Sequence, residues 1–195
     1  MTTQAGNVTD KRRHIVETAY ALFRSGGYHA TGIDRIIAEA GVAKMTMYRH
    51  FPSKDGLIVE VLRSRADRFD AQLDQLARTV DTPMRKIETI VGWYERWFDS
   101  PDFHGCAFAH ALAEFGEAGH PVRAAVVAQK EGFRRRLRLI LAVALPDDRA
   151  DEAATSLFML FEGATLLAQT GRPDEAIRGL RAAAAAILAA SDGRR

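Results

Sequence analysis

A chain of 195 residues, 47% hydrophobic and 27% charged, carries enough apolar sequence for one large globular domain or for one small and one larger domain, which excludes a disordered or fibrous chain. Its single cysteine, Cys106, excludes an internal disulfide and suits a reducing cytoplasm. The start MTTQAGNVTDKRR lacks the apolar core of a signal peptide, and no apolar run approaches the ~20 residues of a membrane span, so a cytoplasmic protein with no membrane partner is expected. The net charge of +2 is unevenly placed: residues 1–65 hold ten Lys/Arg against six Asp/Glu, and the other 130 hold seventeen against nineteen. The basic end is where a phosphate-binding surface would sit.

Residues 1–8 read as a polar, disordered leader. Thr9 is expected to cap a helix running to about Ser25, with Ile15, Ala19, Leu22 and Phe23 on its inner stripe and Gly26-Gly27 ending it. Lys11, Arg12 and Arg13 then fall in its first turn, against the helix dipole, a cost that a nearby polyanion would offset. A solvated charge cluster fits them equally well.

Thr31 followed by Asp34 fits a capping box, opening a short helix whose buried face is Ile33, Ile36, Ile37 and Ala40. Gly41 leaves that helix through positive φ. A second short helix, about Lys44 to His50, carries Lys44, Thr46, Tyr48, Arg49 and His50. A helix too small to bury much and crowded with donors is shaped for reading something polar, and helix–turn–helix docking in a DNA major groove is the physical reading.

Ser53 is expected to cap a long helix to about Val80, with Leu57, Val61, Leu62, Phe69, Leu73 and Leu76 inward. Asp81-Thr82-Pro83 stops the chain and restarts it as a helix over 83–99, which holds Trp93, Tyr94, Trp97 and Phe98. Another helix is expected from Gly105 to about Ala118, and a longer one from Pro121 to about Ala144 with Val122, Val126, Phe133, Leu137, Ile140 and Leu141 inward. Its Arg134, Arg135, Arg136 and Arg138 read as the solvated face of an amphipathic helix rather than as a nucleic-acid patch. Helices over about 149–170, closed by Gly171, and from Pro173 to about Ala190 complete the chain. In the last helix Ile177, Leu180, Ala184, Ile187 and Leu188 make one stripe, and its remaining alanines let another helix approach closely. No stretch reads as a strand. The fold class expected is all-α, about nine helices.

The stretch GGYHATGIDRIIAEAGVAKMTMYRHFPSKDGL resembles the DNA-binding signature of the TetR family of transcriptional regulators. Gly27-Tyr28, Ala30-Thr31, Ile33, Ile36, Ala40-Gly41-Val42, Thr46, Tyr48, His50-Phe51 and Ser53-Lys54 fall at the family's spacing, a likeness that covers about residues 10–65. It implies a three-helix DNA-binding domain, 9–69, followed by a larger helical ligand-binding and dimerisation domain, 70–195. It further implies a homodimer, paired through the last two helices of each subunit, on a partly palindromic operator in double-stranded DNA. Such proteins usually repress transcription until a small molecule binds, and some activate it. By position, Lys44, Met45 and Thr46 face base edges and Tyr48 and His50 contact the phosphate backbone. Thr31 and Lys54 lie at helix starts, where amides and the dipole favour a phosphate. Two departures stand out. Ala43 occupies a position where Ser or Thr often caps the recognition helix, a loss of ~1 kcal/mol. Asp34 places an acid near the groove, which leaves Arg35 as a base or phosphate contact.

For the effector, a mostly apolar pocket with a few polar groups is expected. Trp93 and Trp97 share a helix face, Cys106, His110 and Glu114 form an i, i+4, i+8 row, and Phe158, Glu162 and Thr165 come from the penultimate helix. Ordinary core is the competing reading for each aromatic. Glu114 and Glu162 interrupt apolar stretches, and a buried carboxylate needs a partner, either a cationic ligand or an Arg or His of the domain. The Cys106 row matches no metal-ligand spacing, and no oxyanion-stabilising motif accompanies a Cys106–His110 pair, so neither metal, cofactor nor catalysis is expected. An enzyme or a helical protein-interaction module would leave the DNA-like stretch unexplained.

Overall fold

The computed structural model describes residues 3–192, with side chains from residue 10 to residue 189. Among the described residues the chain forms nine α-helices and no strand, as the sequence pattern requires. It divides into two compact units: residues 1–68 with 107–127, and residues 69–106 with 128–195.

In the first unit α1 (Thr3–Gly26) buries Ile15, Val16, Ala19, Leu22 and Phe23, the expected stripe. The helix starts earlier than expected, which corrects the disordered reading of the leader from Thr3 on; Met1, Thr2 and the side chain of Thr9 lie outside the described residues. Lys11, Arg12 and Arg13 therefore stand more than a turn inside the helix, where the dipole penalty has faded. Gly27 follows at φ 79°. α2 (Ile33–Glu39) packs on α1 through Ile36 and Ala40, and Gly41 exits at φ 60° as expected. The capping box is not formed: the N-cap is Gly32, which has no side chain to offer. Thr31 is instead fully buried, its hydroxyl 2.7 Å from the Gly27 carbonyl and 3.3 Å from that of Leu22, so it closes the end of α1 rather than the start of α2.

α3 (Lys44–His50) buries Met47. At seven residues it is well short of the ~12–15 that hold a helix in water, so its place on α2 keeps it folded. α4 (Lys54–Ala77) opens with the Ser53 hydroxyl accepting the Gly56 N–H at 3.0 Å, the expected cap, and packs Leu57, Ile58, Val61 and Leu62 into the core of this unit.

In the second unit α5 (Pro83–Phe98) starts where Thr82 accepts the Arg85 N–H, with proline in the first turn. α6 (Ala107–Glu114), part of the first unit, is shorter than expected. Gly105 sits at φ 84° with the Gln169 amide where a Cβ would be, so the helix cannot start there, and at its other end it closes at Glu114, ahead of Gly116. α7 (Pro121–Leu141) contributes Val122 and Val126 to the first unit and Phe133, Leu137 and Leu141 to the second. α8 (Asp147–Gln169) ends before Gly171 at φ 87°, and α9 (Pro173–Asp192) packs along both α8 and α5.

The second core gathers Leu73, Ile87, Val91, Tyr94, Phe98, Phe133, Leu137, Leu157, Phe161, Ile177, Leu180 and Leu188. Each such side chain contributes roughly 1.5–3 kcal/mol by leaving water. Three of the α7 arginines are tied to carboxylates of this unit: Arg134 to Asp151 at 2.7 Å, Arg136 to Asp70 and Asp74, and Arg138 to Asp147 at 2.9 Å. No described helix is long and apolar enough to cross a membrane.

Candidate nucleic-acid interface

Seven residues of helix that bury one methionine leave the rest of α3 to face outward. Met45 is 81% exposed and Tyr48 38%, Lys44 and Arg49 are exposed, and Thr46 and His50 are half-buried. Lys44, Met45 and Thr46 thus sit together at the start of the helix, with donors and an apolar group of the kinds that meet base edges and thymine methyls. Ala43 is the N-cap and makes no side-chain bond, as its residue type dictates.

The cations cluster. His50 has its pKa lowered, first by burial and then by the charges of Arg49, Arg12 and Lys11. Its Nε2 is enclosed without a hydrogen-bond partner. Burial and three nearby cations both disfavour the charged imidazole, and cations gathered in this way make a surface that favours an anion. Arg12 is fixed there by Glu60 and by the Phe51 ring beneath its guanidinium, 5.0 Å from the centroid. On α2, Arg35 is exposed, and Asp34 Oδ1 lies 3.3 Å from Lys44 Nζ with both side chains largely in water. Such a pair is weak and easily exchanged for a phosphate. At the start of α4, Lys54 Nζ donates to the His29 carbonyl at 3.0 Å. Lys44, Met45, Thr46, Tyr48 and Arg35 stand outward; Thr31 does not, and its buried side chain supports the turn instead. Arg49, missing from the sequence-derived set, is exposed in the last turn of α3.

The residues expected around an effector divide. Trp93, Trp97 and Phe158 are half-buried against the second core, the two indoles 5.5 Å apart and Trp93 Nε1 donating to Gln72 at 3.2 Å. Glu162 is gripped by Lys130, whose Nζ lies 2.7 Å from both carboxylate oxygens and 3.4 Å from Cys106 Sγ. Lys130 is missing from the sequence-derived set; its one signal is its place a turn from Val126 and Phe133 on an otherwise apolar stripe, which does not name its partner. Beside it the buried Tyr94 phenol has its pKa pushed well up by burial, with the charges of Glu162 and Cys106 adding to the shift. Thr165 is buried with its hydroxyl donating to the Phe161 carbonyl. The i, i+4, i+8 row does not form, because α6 begins after Cys106. His110 and Glu114 belong to the first unit, and the Glu114 carboxylate accepts two backbone N–H groups there. No group of three or more metal-ligating side chains occurs among the described residues. A recess of about 190 Å³ in the second unit is lined by Thr82, Pro83, Met84, Leu141, Ala144, Leu145 and Leu188, none of them in the expected set.

Comparison with known proteins gives these features a context. Residues 15–61 match the family model for bacterial regulatory proteins of the tetR family, and residues 83–184 match that for the tetracyclin repressor-like C-terminal domain. The HTH-type transcriptional repressor KstR of Mycolicibacterium smegmatis is 34% identical over 87 residues, which is 45% of this chain and 43% of that protein, so the match spans less than half of that relative. The HTH-type transcriptional regulator LmrA of Bacillus subtilis is 27% identical over 166 residues, 84% of this chain and 88% of that one. The crystal structure of SCO4454, a TetR-family transcriptional regulator from Streptomyces coelicolor, superposes with a TM-score of 0.88 at 30% identity, covering 94% of this chain and 96% of the other. With a donor-rich recognition helix at one end and both family models matched in order along its length, the chain belongs to the TetR family and is a helix–turn–helix transcriptional regulator.

Proposed function

We propose that the protein is a homodimeric, cytoplasmic repressor that releases a partly palindromic operator when a small molecule binds its second unit. The observation that carries DNA reading is the exposure pattern of α3: Met47 turned in, and Lys44, Met45, Tyr48 and Arg49 turned out beside the cations that surround His50. Lys44, Met45 and Thr46 choose the sequence, with Arg35 at their flank. Tyr48, His50 and Lys54 hold phosphates, which supply most of the affinity. The repressor role is supported by the KstR relative, which is named a repressor.

Dimerisation through α8 and α9 is supported by their outer faces. On α8, Met159 and Leu166 are 60% and 65% exposed with the exposed Gly163 between them, and on α9 the exposed Gly179, Ala182 and Ala186 offer a smooth surface for close helix approach. Two copies joined there would have to hold their recognition helices about 34–36 Å apart, one DNA turn. The effector site of this reading is at Trp93, Trp97 and Phe158, with Glu162, Lys130 and Cys106 supplying polarity; it is supported by the half-buried aromatics beside the Lys130–Glu162 pair. Ligand bound there shifts α4 and with it the spacing of the recognition helices; a coupling of about 1–3 kcal/mol is ordinary for such a switch. The test is a reporter gene placed behind the DNA that adjoins the regulator's own gene. Expression should rise when the regulator is deleted; a fall would make it an activator.

A further inference from the structure

Glu114, read from the sequence as a ligand-binding carboxylate, has main-chain partners in the fold. Its Oε1 accepts the Tyr28 N–H at 2.8 Å and its Oε2 the His29 N–H at 2.6 Å, while its own carbonyl lies 2.9 Å from His29 Nε2. At the other end of α6 the Tyr28 phenol donates to the Ala107 carbonyl at 3.0 Å, and Phe115 packs on the His29 ring, centroids 4.4 Å apart. The turn after α1 is therefore held along the whole length of α6. Gly27 permits the approach, since it has φ 79° and a Cβ there would stand 3.3 Å from Glu114 Oε1. The chain of contacts continues: the His29 carbonyl accepts Lys54 Nζ at 3.0 Å. An ammonium has three donors, so Lys54 keeps two for another acceptor.

We infer that Glu114 is a positioning residue for DNA binding: by clamping the Tyr28–His29 main chain it fixes the carbonyl that aims Lys54 at an operator phosphate. This rests on the reading of Lys54 as a phosphate contact, and the test separates the two. The full chain is titrated with a duplex from the DNA adjoining its own gene, over a salt series and normalised to the active fraction. The slope of log affinity against log salt counts neutralised phosphates, at about 0.9 for each, and loss of folded protein does not alter it. Lys54→Ala is expected to weaken binding about tenfold and to lower the slope by about one per subunit. Glu114→Gln, whose amide group turns a donor toward one of the two N–H groups, should change affinity and slope in the same direction. The double variant should bind no more weakly than Lys54→Ala. Should Glu114→Gln not fold, Glu114→Asp keeps the charge, shortens the reach and gives the same readout. A slope unchanged by the Glu114 variant while Lys54→Ala lowers it, or additive losses in the double variant, overturns the positioning role and leaves the DNA reading standing. A slope unchanged by Lys54→Ala overturns the phosphate contact itself, and the positioning role with it.

Discussion

Asp34 is the residue that fits the proposed surface least, because it sets a carboxylate where DNA phosphates would come. It lies 3.3 Å from Lys44, both side chains well exposed, so the pair adds little to stability and withholds one cation from the groove. Asp34→Asn is expected to raise DNA affinity roughly threefold to tenfold at low salt and to steepen the salt dependence. Equal affinities in a direct titration would show that Asp34 stays clear of the backbone. Single residues were legible where a local pattern constrained them. A helix of seven residues crowded with donors can bury little, so most of Lys44 to His50 was expected to face out, and the structure buries Met47 alone. Glu114 and Glu162 were legible as anomalies but not in their partners. Lys130 is 32 positions from Glu162, and the Glu114 carboxylate takes main-chain N–H groups 85 and 86 positions away, which side-chain chemistry does not announce. Thr31 failed for a related reason: its capping spacing was right, but the closer acceptors were the carbonyls at the end of α1.

Like α2, α3 is only seven residues long and buries a single side chain. Its N-cap, Ala43, has the extended backbone of a capping residue, φ −67° and ψ 144°, without the side chain to use it. Ala43→Ser should supply the missing acceptor and stabilise the chain by ~1 kcal/mol. That corresponds to a rise of about 2–4 °C in Tm for a chain of this size. Calorimetry checks it, and an unchanged Tm would mean that α3 is held by Met47 and its neighbours regardless of its cap. Helix limits were legible wherever proline or glycine marks them, as at Pro83, Pro121, Pro173, Gly41 and Gly171. α6 was overextended because Gly105 reads as tolerable in a helix, whereas its φ of 84° and the Gln169 amide beside it place it outside one. At the start of α1 the threonine signal at position 9 is ordinary helix interior, and the helix continues back to Thr3.

At the scale of the molecule, the helix count and the all-α class followed from periodicity and turn residues. The membership of 107–127 in the first unit did not, because the apolar stripes of α6 and α7 state that a face is buried and not against what. The proposed dimer depends on α8 and α9. Leu166→Glu places a charge on the exposed apolar face of α8 and should convert the protein to a monomer by analytical ultracentrifugation. With two half-sites no longer engaged together, DNA affinity should fall by roughly a hundredfold or more. A variant that remains dimeric would place the interface elsewhere.

The central claim, that residues from Thr31 to Lys54 bind DNA through phosphates and select it through bases, is tested most directly by binding to the duplex adjoining the regulator's own gene across salt concentrations, with an unrelated duplex as competitor. The account predicts tighter binding to the first duplex and a log affinity that falls linearly with log salt, by several units of slope for the contacts of a dimer. No binding to either duplex at low salt, or binding indifferent to salt, would contradict it.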